Sequence, residues 1–462
     1  MNKLSVYGRI YKNAYKGNVM KNTVAIILIV CLIACAACTK LPIPDNTSNQ
    51  QDNTDNTLPG DDIGGADKPA DDTTAEGNTP ADDNTSDPPV PDDNTSTDPV
   101  VPEEPVIPEE PVIPEEPVAT SKFVKIVAAG DNLLHNTISF DAEQADGSYD
   151  FSPIYERIAY ITSAADIAFI NQEIMLTGKI SGYPRMEAPD EVADALIDAG
   201  FNIINLASNH TLDKGEEGLE ACLNNVHARD FEAVLGAYLT EEDSNKNIII
   251  EKNGVTFGFL SYTYDMNGYT LSAGNEWKVD LIVESKMKAD VKALRPLCDY
   301  LIVSMHWGKE YSTEPTSYQR KLAQLLCDNG TDLIIGTHPH VLEPLETLTS
   351  TDGTHQTLCA WSLGNFISNQ HRLDTMLGGI LQVELEFDLD NNLIGTRSSI
   401  IPTVTQYDDN ARNYEIYLLS EYTQDLAAIH GIRKHASEPL SLKYLQDLAQ
   451  TVLGDAIADE VY

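Results

Sequence analysis

The chain has 462 residues, and its 72 acidic against 30 basic side chains give a net charge of −42. That balance excludes a nucleic-acid partner, because phosphate binding needs basic surface. The length still leaves room for a sizeable core once the biased segments are set aside.

Lys3, Arg9, Lys12, Lys16 and Lys21 precede a short apolar run, Val24 to Ala34, which is the layout of a secretory signal. The run is too short for a comfortable membrane-spanning helix. Met20 is an alternative start to Met1. Leu32-Ile33-Ala34-Cys35 resembles the lipobox of bacterial lipoproteins, which implies that Cys35 carries lipid and begins the mature protein; Ala36-Ala37-Cys38 offers Cys38 instead, and a plain cleaved signal is the third reading. All three readings place an export signal within residues 1–38 and the mature protein outside the cytoplasm. The lipobox adds a lipid anchor in the cell membrane, with the protein facing the wall or the surface.

Residues 39–120 are rich in Asp, Asn, Thr, Pro and Glu and nearly free of aromatic residues. Such a composition buries too little surface to offset its ordering entropy, so a disordered acidic spacer is expected. Pro-Glu-Glu-Pro-Val recurs from Pro102, Pro108 and Pro114. Repeated prolines and like charges stretch the spacer to between about 50 and 250 Å.

A folded domain is expected over residues 121–405. Phe123 to Ala129 reads as a buried strand running into Gly130-Asp131-Asn132. Pro153 to Ala164 has helical spacing, and Ile167 to Ile170 is a second strand ending in Asn171-Gln172-Glu173. A helix over Pro189–Ala199 leads to a third strand, Asn202 to Ala207, then Ser208-Asn209-His210, and another helix follows Gly215. Strand, polar tip and helix in repetition predict a parallel sheet with crossover helices. Ile248–Lys252, Asn253-Gly254 and Val255–Ser261 form a hairpin signal, so antiparallel pairing is also present. Tyr300 to Met305 ends in His306-Trp307-Gly308-Lys309-Glu310, Ser317 to Asn329 is helical, and Leu333 to Ile335 delivers Gly336-Thr337-His338-Pro339-His340. Thr357–Trp361 and Gly379–Phe387 read as further strands, and residues 406–462 as a helical extension. Cys222, Cys298, Cys327 and Cys359 lack CxxC or zinc-ribbon spacing and read as buried thiols, with a disulfide left open for an exported protein.

Asp131, Asn171, Glu173, Asn209, His210, His306, His338 and His340 all lie at the ends of five apolar strands. In α/β folds such tips meet a ligand beyond the strand ends, and here they are expected to converge on the rim of one sheet. Mixed oxygen and nitrogen donors suit Mn, Fe or Zn, with one or two ions held.

The blocks Gly130-Asp131, Asn171-x-Glu173, Asn209-His210-x-x-Asp213-x-Gly215, His306-Trp307-Gly308-x-Glu310, Gly336-x-His338-Pro339-His340 and Ser362-Leu363-Gly364-Asn365-Phe366 resemble the capsule-synthesis CapA family. Its domain is similar to the calcineurin-like metallophosphoesterases. The resemblance implies an α/β, four-layer sandwich of mixed sheets flanked by helices. It implies Asp131, Asn209, His306, His338 and His340 as metal ligands, Glu173 near the bridging acid, and His210 facing substrate as proton donor or charge stabiliser. Asn171, Asp213, Glu310 and Asn365 would line the substrate or support the ligands. The chemistry implied is metal-dependent hydrolysis of a phosphoester or a γ-glutamyl amide. The partners implied are an anionic envelope polymer such as poly-γ-glutamate and other capsule-assembly proteins. One position departs: phosphoesterases carry a histidine two residues after the first aspartate, where this chain has Leu133. A non-catalytic, polymer-binding role with a degenerate site is the competing reading.

Overall fold

The computed structural model describes residues 120–458 and 461. The expected export signal, Cys35, Cys38 and the acidic spacer up to Ala119 lie outside the described residues. Two mixed sheets organise the remainder. The first runs in the order β16 (Glu415–Leu418), β15 (Leu393–Gln406), β14 (Leu377–Phe387), β1 (Lys122–Asn132), β2 (Ile167–Gln172), β5 (Ile203–Asn205) and β6 (Ala233–Leu235), with β13 (Asn365–Ile367) against the end of β1. The second runs β11 (Leu345–Thr349), β12 (Gln356–Ala360), β10 (Leu333–Thr337), β9 (Tyr300–His306), β8 (Val255–Thr263) and β7 (Ile248–Lys252). A short parallel pair, β3 (Met175–Leu176) and β4 (Glu187–Ala188), lies apart from both.

Each sheet has a parallel run, β1-β2-β5-β6 in one and β8-β9-β10-β12 in the other, continued by antiparallel strands beyond β1 in the first and on both sides in the second. Period-two alternation along the second sheet sorts its side chains. Tyr300, Ile302, Leu333 and Ile335 enter the large core shared with the first sheet. Leu301, Val303, Met305 and Ile334 enter a second core with Met287, Val291 and Leu294 of the helix Glu284–Leu294 and Leu322 and Leu326 of the helix Ser317–Cys327. Phe387 of β14 stands edge-on to both Phe257 of β8 and Tyr300 of β9, with centroids 6.3 Å away in each case. Those contacts fix the sheets face to face. The helices Glu191–Asp198 and Gly215–His227 add Val192, Leu196, Leu219 and Leu223 to the large core. The result is the expected four-layer sandwich of mixed sheets flanked by helices.

Three expectations need correction. The site strands do not share one sheet: β1, β2 and β5 belong to the first and β9 and β10 to the second. Residues 406–462 are not a purely helical extension, because β15 reaches Gln406 and β16 extends the first sheet. The helix expected over Pro153–Ala164 is two short ones, Ser152–Tyr155 and Ala159–Thr162. One strand escapes the sequence reading, because the first half of β15 is largely exposed and shows no apolar alternation. The hairpin forms at Asn253-Gly254, both with positive φ, and the four downstream cysteines are buried free thiols.

Candidate metal centre

The carboxyl ends of both parallel runs lie on the same side of the molecule. In the first sheet Asp131 pairs with Asn171, and Asn171 with Asn205; in the second, Thr337 pairs with His306, and His306 with Thr263. Gly130 is required here. A Cβ at that position would stand 2.0 Å from the Gly364 carbonyl, whereas glycine lets β1 pass and the Asp131 amide donate to that same carbonyl at 2.9 Å. After β10 the chain turns through His338 and His340 with φ of 97° and 61°. Non-glycine residues in that region cost roughly 1–3 kcal/mol each and persist only where surroundings hold them. The holding contacts are visible: the His338 amide donates to both Asp131 carboxylate oxygens at 3.2 and 3.3 Å, and the Tyr311 amide donates to the Pro339 carbonyl at 2.8 Å.

Ligand-type atoms of Glu173, His338 and His340 lie within 4.8 Å of one another, all buried. His340 Nδ1 is 3.0 Å from Asp131 Oδ2, and its Nε2 is 3.8 Å from Glu173 Oε1. His306 Nε2 is 3.9 Å from Glu173 Oε1 and 2.9 Å from Asn209 Oδ1, while its Nδ1 faces Thr337 Oγ1 at 3.0 Å. Thus all six residues expected as ligands are brought together. Asn171 stands behind them: its amide donates to Asp131 Oδ1 at 2.9 Å and its carbonyl oxygen accepts from Asn205 at 2.7 Å. His210 points Nδ1 at Asp213 Oδ2, 2.7 Å away, and Asp213 also accepts from the Met186 amide at 2.7 Å.

Glu310 is exposed at the mouth. Asn365 directs its amide to Ser368, Gln370 and the Thr375 carbonyl, so it braces that loop. At the departing position, Leu133 is buried and supplies no ligand. His135 does not replace it through Nδ1, which lies 3.2 Å from both the Leu133 carbonyl and the Asn369 amide. Sequence reasoning missed Tyr264, whose ring centre is 4.6 Å from that of His338, and Asn267, which bridges Asn209 (3.1 Å) and His210 (3.4 Å). The signal is present, since both follow the end of β8, but in sequence that strand reads only as one arm of a hairpin.

The electrostatics are those of a cluster prepared for positive charge. Burial, reinforced by the nearby Asp131 carboxylate, raises the Glu173 carboxyl well above its usual range. Burial pushes the His340 imidazole down, but Glu173 and Asp131 outweigh it and hold it at about 9. His306 and His338 are lowered by burial and then by the neighbouring imidazoles, so they stay neutral and able to donate a lone pair. Both Glu173 carboxylate oxygens and His338 Nδ1 are buried without a hydrogen-bond partner. Buried polar atoms are almost always paired, so orphans concentrated in one spot mark a missing partner. A divalent cation fits: it would meet carboxylate, amide and imidazole donors whose chemistry suits Mn, Fe or Zn.

The family model described as bacterial capsule synthesis protein PGA_cap matches residues 125–370. The chain is 32% identical over 212 residues to the PGA biosynthesis protein CapA of Bacillus subtilis (strain 168), covering 44% of this chain and 51% of the relative. It is 32% identical over 205 residues to the capsule biosynthesis protein CapA of Bacillus anthracis, covering 43% and 48%. The chain therefore spans about half the length of these curated relatives. Solved structures similar to it include a 5'-nucleotidase precursor from Thermus thermophilus (14% identity, TM-score 0.39, 71% of this chain and 59% of that one). Another is the NAD nucleotidase of Haemophilus influenzae (12%, TM-score 0.39, 74% and 59%). The match over residues 125–370 takes in more than half of the 462 residues and every block that builds the cluster, so the chain belongs to the bacterial capsule synthesis protein PGA_cap family.

Proposed function

We propose that this chain is an exported, lipid-anchored hydrolase of the cell envelope, dependent on one or two divalent ions, that cleaves an amide or ester bond in an anionic polymer such as poly-γ-glutamate or in a phosphoester. The observation that carries the reading is the buried Glu173 carboxylate, unpartnered at both oxygens and surrounded by His306, His338 and His340. Asp131, Glu173, Asn209, His306, His338 and His340 would hold the cation. Bound there, it would act as a Lewis acid and bring the pKa of water toward neutrality.

The chain's own residues supply the rest. Asp213 engages His210 Nδ1, leaving Nε2 to give a proton to the leaving group or to stabilise charge on it. Asn171 keeps Asp131 in place, and Thr337 takes either role toward His306 Nδ1, so that Nε2 can present a lone pair in place of its bond to Asn209. The polymer is inferred from the names of the Bacillus relatives, which are biosynthesis proteins for PGA and capsule.

Elemental analysis of the purified protein is expected to find about one or two equivalents of divalent metal, the range that the ligand count supports. The loaded protein should cleave a phosphodiester or a γ-glutamyl anilide, and His210→Ala should keep the metal while losing about 10²–10⁴-fold in kcat. A fully loaded protein that cleaves neither substrate would reject catalysis. It would favour the second reading, a polymer-binding component of capsule assembly, for which the buried Leu133 in place of an imidazole is the supporting observation.

A further inference from the structure

The rim beside His210 carries an arginine whose surroundings are unlike those of most other arginines described. Arg157, Arg229, Arg295, Arg320 and Arg372 each pair with a carboxylate. Arg185, exposed in a chain of 72 acidic residues, pairs with none among the described residues. Glu187, two positions on, is taken by Lys214 at 3.1 Å and Thr177 at 2.6 Å.

Arg185 is nonetheless fixed. Its Nε donates to the Asp213 carbonyl at 2.6 Å, its own carbonyl accepts from Ser181 Oγ at 2.7 Å, and its guanidinium carbon lies 5.4 Å from the centre of the Tyr269 ring. Asp213 is the residue that holds His210, so one short chain of bonds ties the guanidinium to the group facing the reacting bond. With Nε committed, the two Nη groups remain as a planar fork, the geometry that receives a carboxylate through two parallel hydrogen bonds. Tyr269 offers a cation–π contact that keeps that fork from collapsing onto the acidic surface.

We infer that Arg185, backed by Tyr269, forms a carboxylate-binding subsite next to His210, and that it reads the free carboxylate of the polymer unit adjoining the scissile bond. The inference takes its ligand class from the function proposed above, and its test separates the two. An arginine here also answers the electrostatic difficulty of an acidic protein approaching an acidic chain, by placing one uncompensated cation where the substrate must register.

The test is fluorescence anisotropy of the full-length protein with a labelled γ-linked glutamate oligomer and with its α-methyl ester, which keeps the backbone and removes the carboxylates. Arg185→Gln should weaken binding of the acid oligomer about tenfold or more and leave the ester unchanged, the penalty expected of one charge-assisted bidentate contact. Arg185→Lys should recover only part of that loss, because it restores charge without the fork. Thermal melts of both variants exclude misfolding, and Tyr269→Leu, which leaves Arg185 in place, should cost the acid oligomer alone a smaller factor. Equal binding of the acid oligomer by wild type and Arg185→Gln would overturn the subsite, as would equal loss of both probes, no binding of the oligomer by wild type, or an Arg185 dependence seen only with inorganic phosphate. If Arg185-dependent binding is found but the oligomer is never cleaved, the subsite stands and the hydrolase reading falls. If cleavage proceeds with KM unaltered by Arg185→Gln, the reverse holds.

Discussion

Glu173→Gln gives opposite outcomes with and without metal, and the reason lies in the two unpartnered oxygens of Glu173. In the metal-free protein they are buried beside the Asp131 carboxylate, whose charge is the second cause, after burial, of the raised Glu173 pKa. Glutamine leaves the same buried atoms unpartnered but removes the charge that burial and Asp131 penalise, so it should stabilise the metal-free protein by about 1–3 kcal/mol. For a domain of this size the unfolding entropy is roughly 0.7 kcal/mol per degree, which makes the gain about 1.5–4 °C in Tm. With metal at one hundred times its Kd, wild type gains about 2.7 kcal/mol, or about 4 °C, and the variant, lacking a charged ligand, gains little. Scanning calorimetry in EDTA and in excess Mn, Fe or Zn should therefore show the two proteins exchanging order. If the variant is less stable in both conditions, or if metal shifts both proteins alike, Glu173 is an ordinary core carboxyl and the cation site is wrong.

Metal affinity should depend on pH through His340. The imidazole is held at about 9 by Glu173 and Asp131 against the opposing effect of burial, so at neutral pH a cation has to displace its proton. Apparent affinity is expected to rise by up to about tenfold per pH unit as pH approaches 9 and then level, with proton release visible by calorimetry in buffers of different ionisation enthalpy; a flat profile would refute it. Glu343 offers a stability test away from the cluster. Burial lifts its carboxyl from 4.5 to about 8, with Oε1 unpartnered and Oε2 accepting from Gln319 at 2.7 Å. The unfolded chain releases this proton first, so the folded state loses stability as pH rises from 4.5 toward 8. Glu343→Gln should add about 3 kcal/mol at pH 7 and almost nothing near pH 4.5, as read by urea melts at the two values. Gly130→Ala would set a methyl group 2.0 Å from the Gly364 carbonyl; displacing Asp131 in this way should abolish stoichiometric metal binding, and retention of it would show that β1 can shift without cost.

How much of this is readable beforehand depends on the range of the interaction. Strand ends announce themselves locally, because an apolar run stops and a polar residue follows, and that is how Asp131, Glu173, Asn209, His306, His338 and His340 stand out. The partition into two sheets is not readable. β1 to β5 and β8 to β10 carry the same local signal, and only the long-range pairing of β14 with β1 and of β8 with β9 separates them. Tyr264 and Asn267 escape because a hairpin assignment hides what its second strand does at its far end, where β8 pairs in parallel with β9 and presents Thr263 beside His306. The N-terminal half of β15 escapes for lack of any apolar face, and Arg185 because a lone arginine in a loop has no periodicity to detect.

The division between sheets also explains the order of donors in the cluster. The first sheet contributes the oxygen ligands, Asp131, Glu173 and Asn209, from the end of β1 and the loops after β2 and β5; the second contributes the imidazoles, His306, His338 and His340, from β9 and the loop after β10. The two sets touch through Asp131 with His340 and Asn209 with His306. Those bonds link one sheet to the other at the open end of the sandwich, where the apolar core no longer does so. A cation bound to both sets would take over the same link with stronger bonds, while relieving the charge that Glu173 and Asp131 impose on each other. Strain at His338 and His340, the orphaned oxygens of Glu173 and the raised pKa of His340 are three features that a cation bound between the two sheets would account for together.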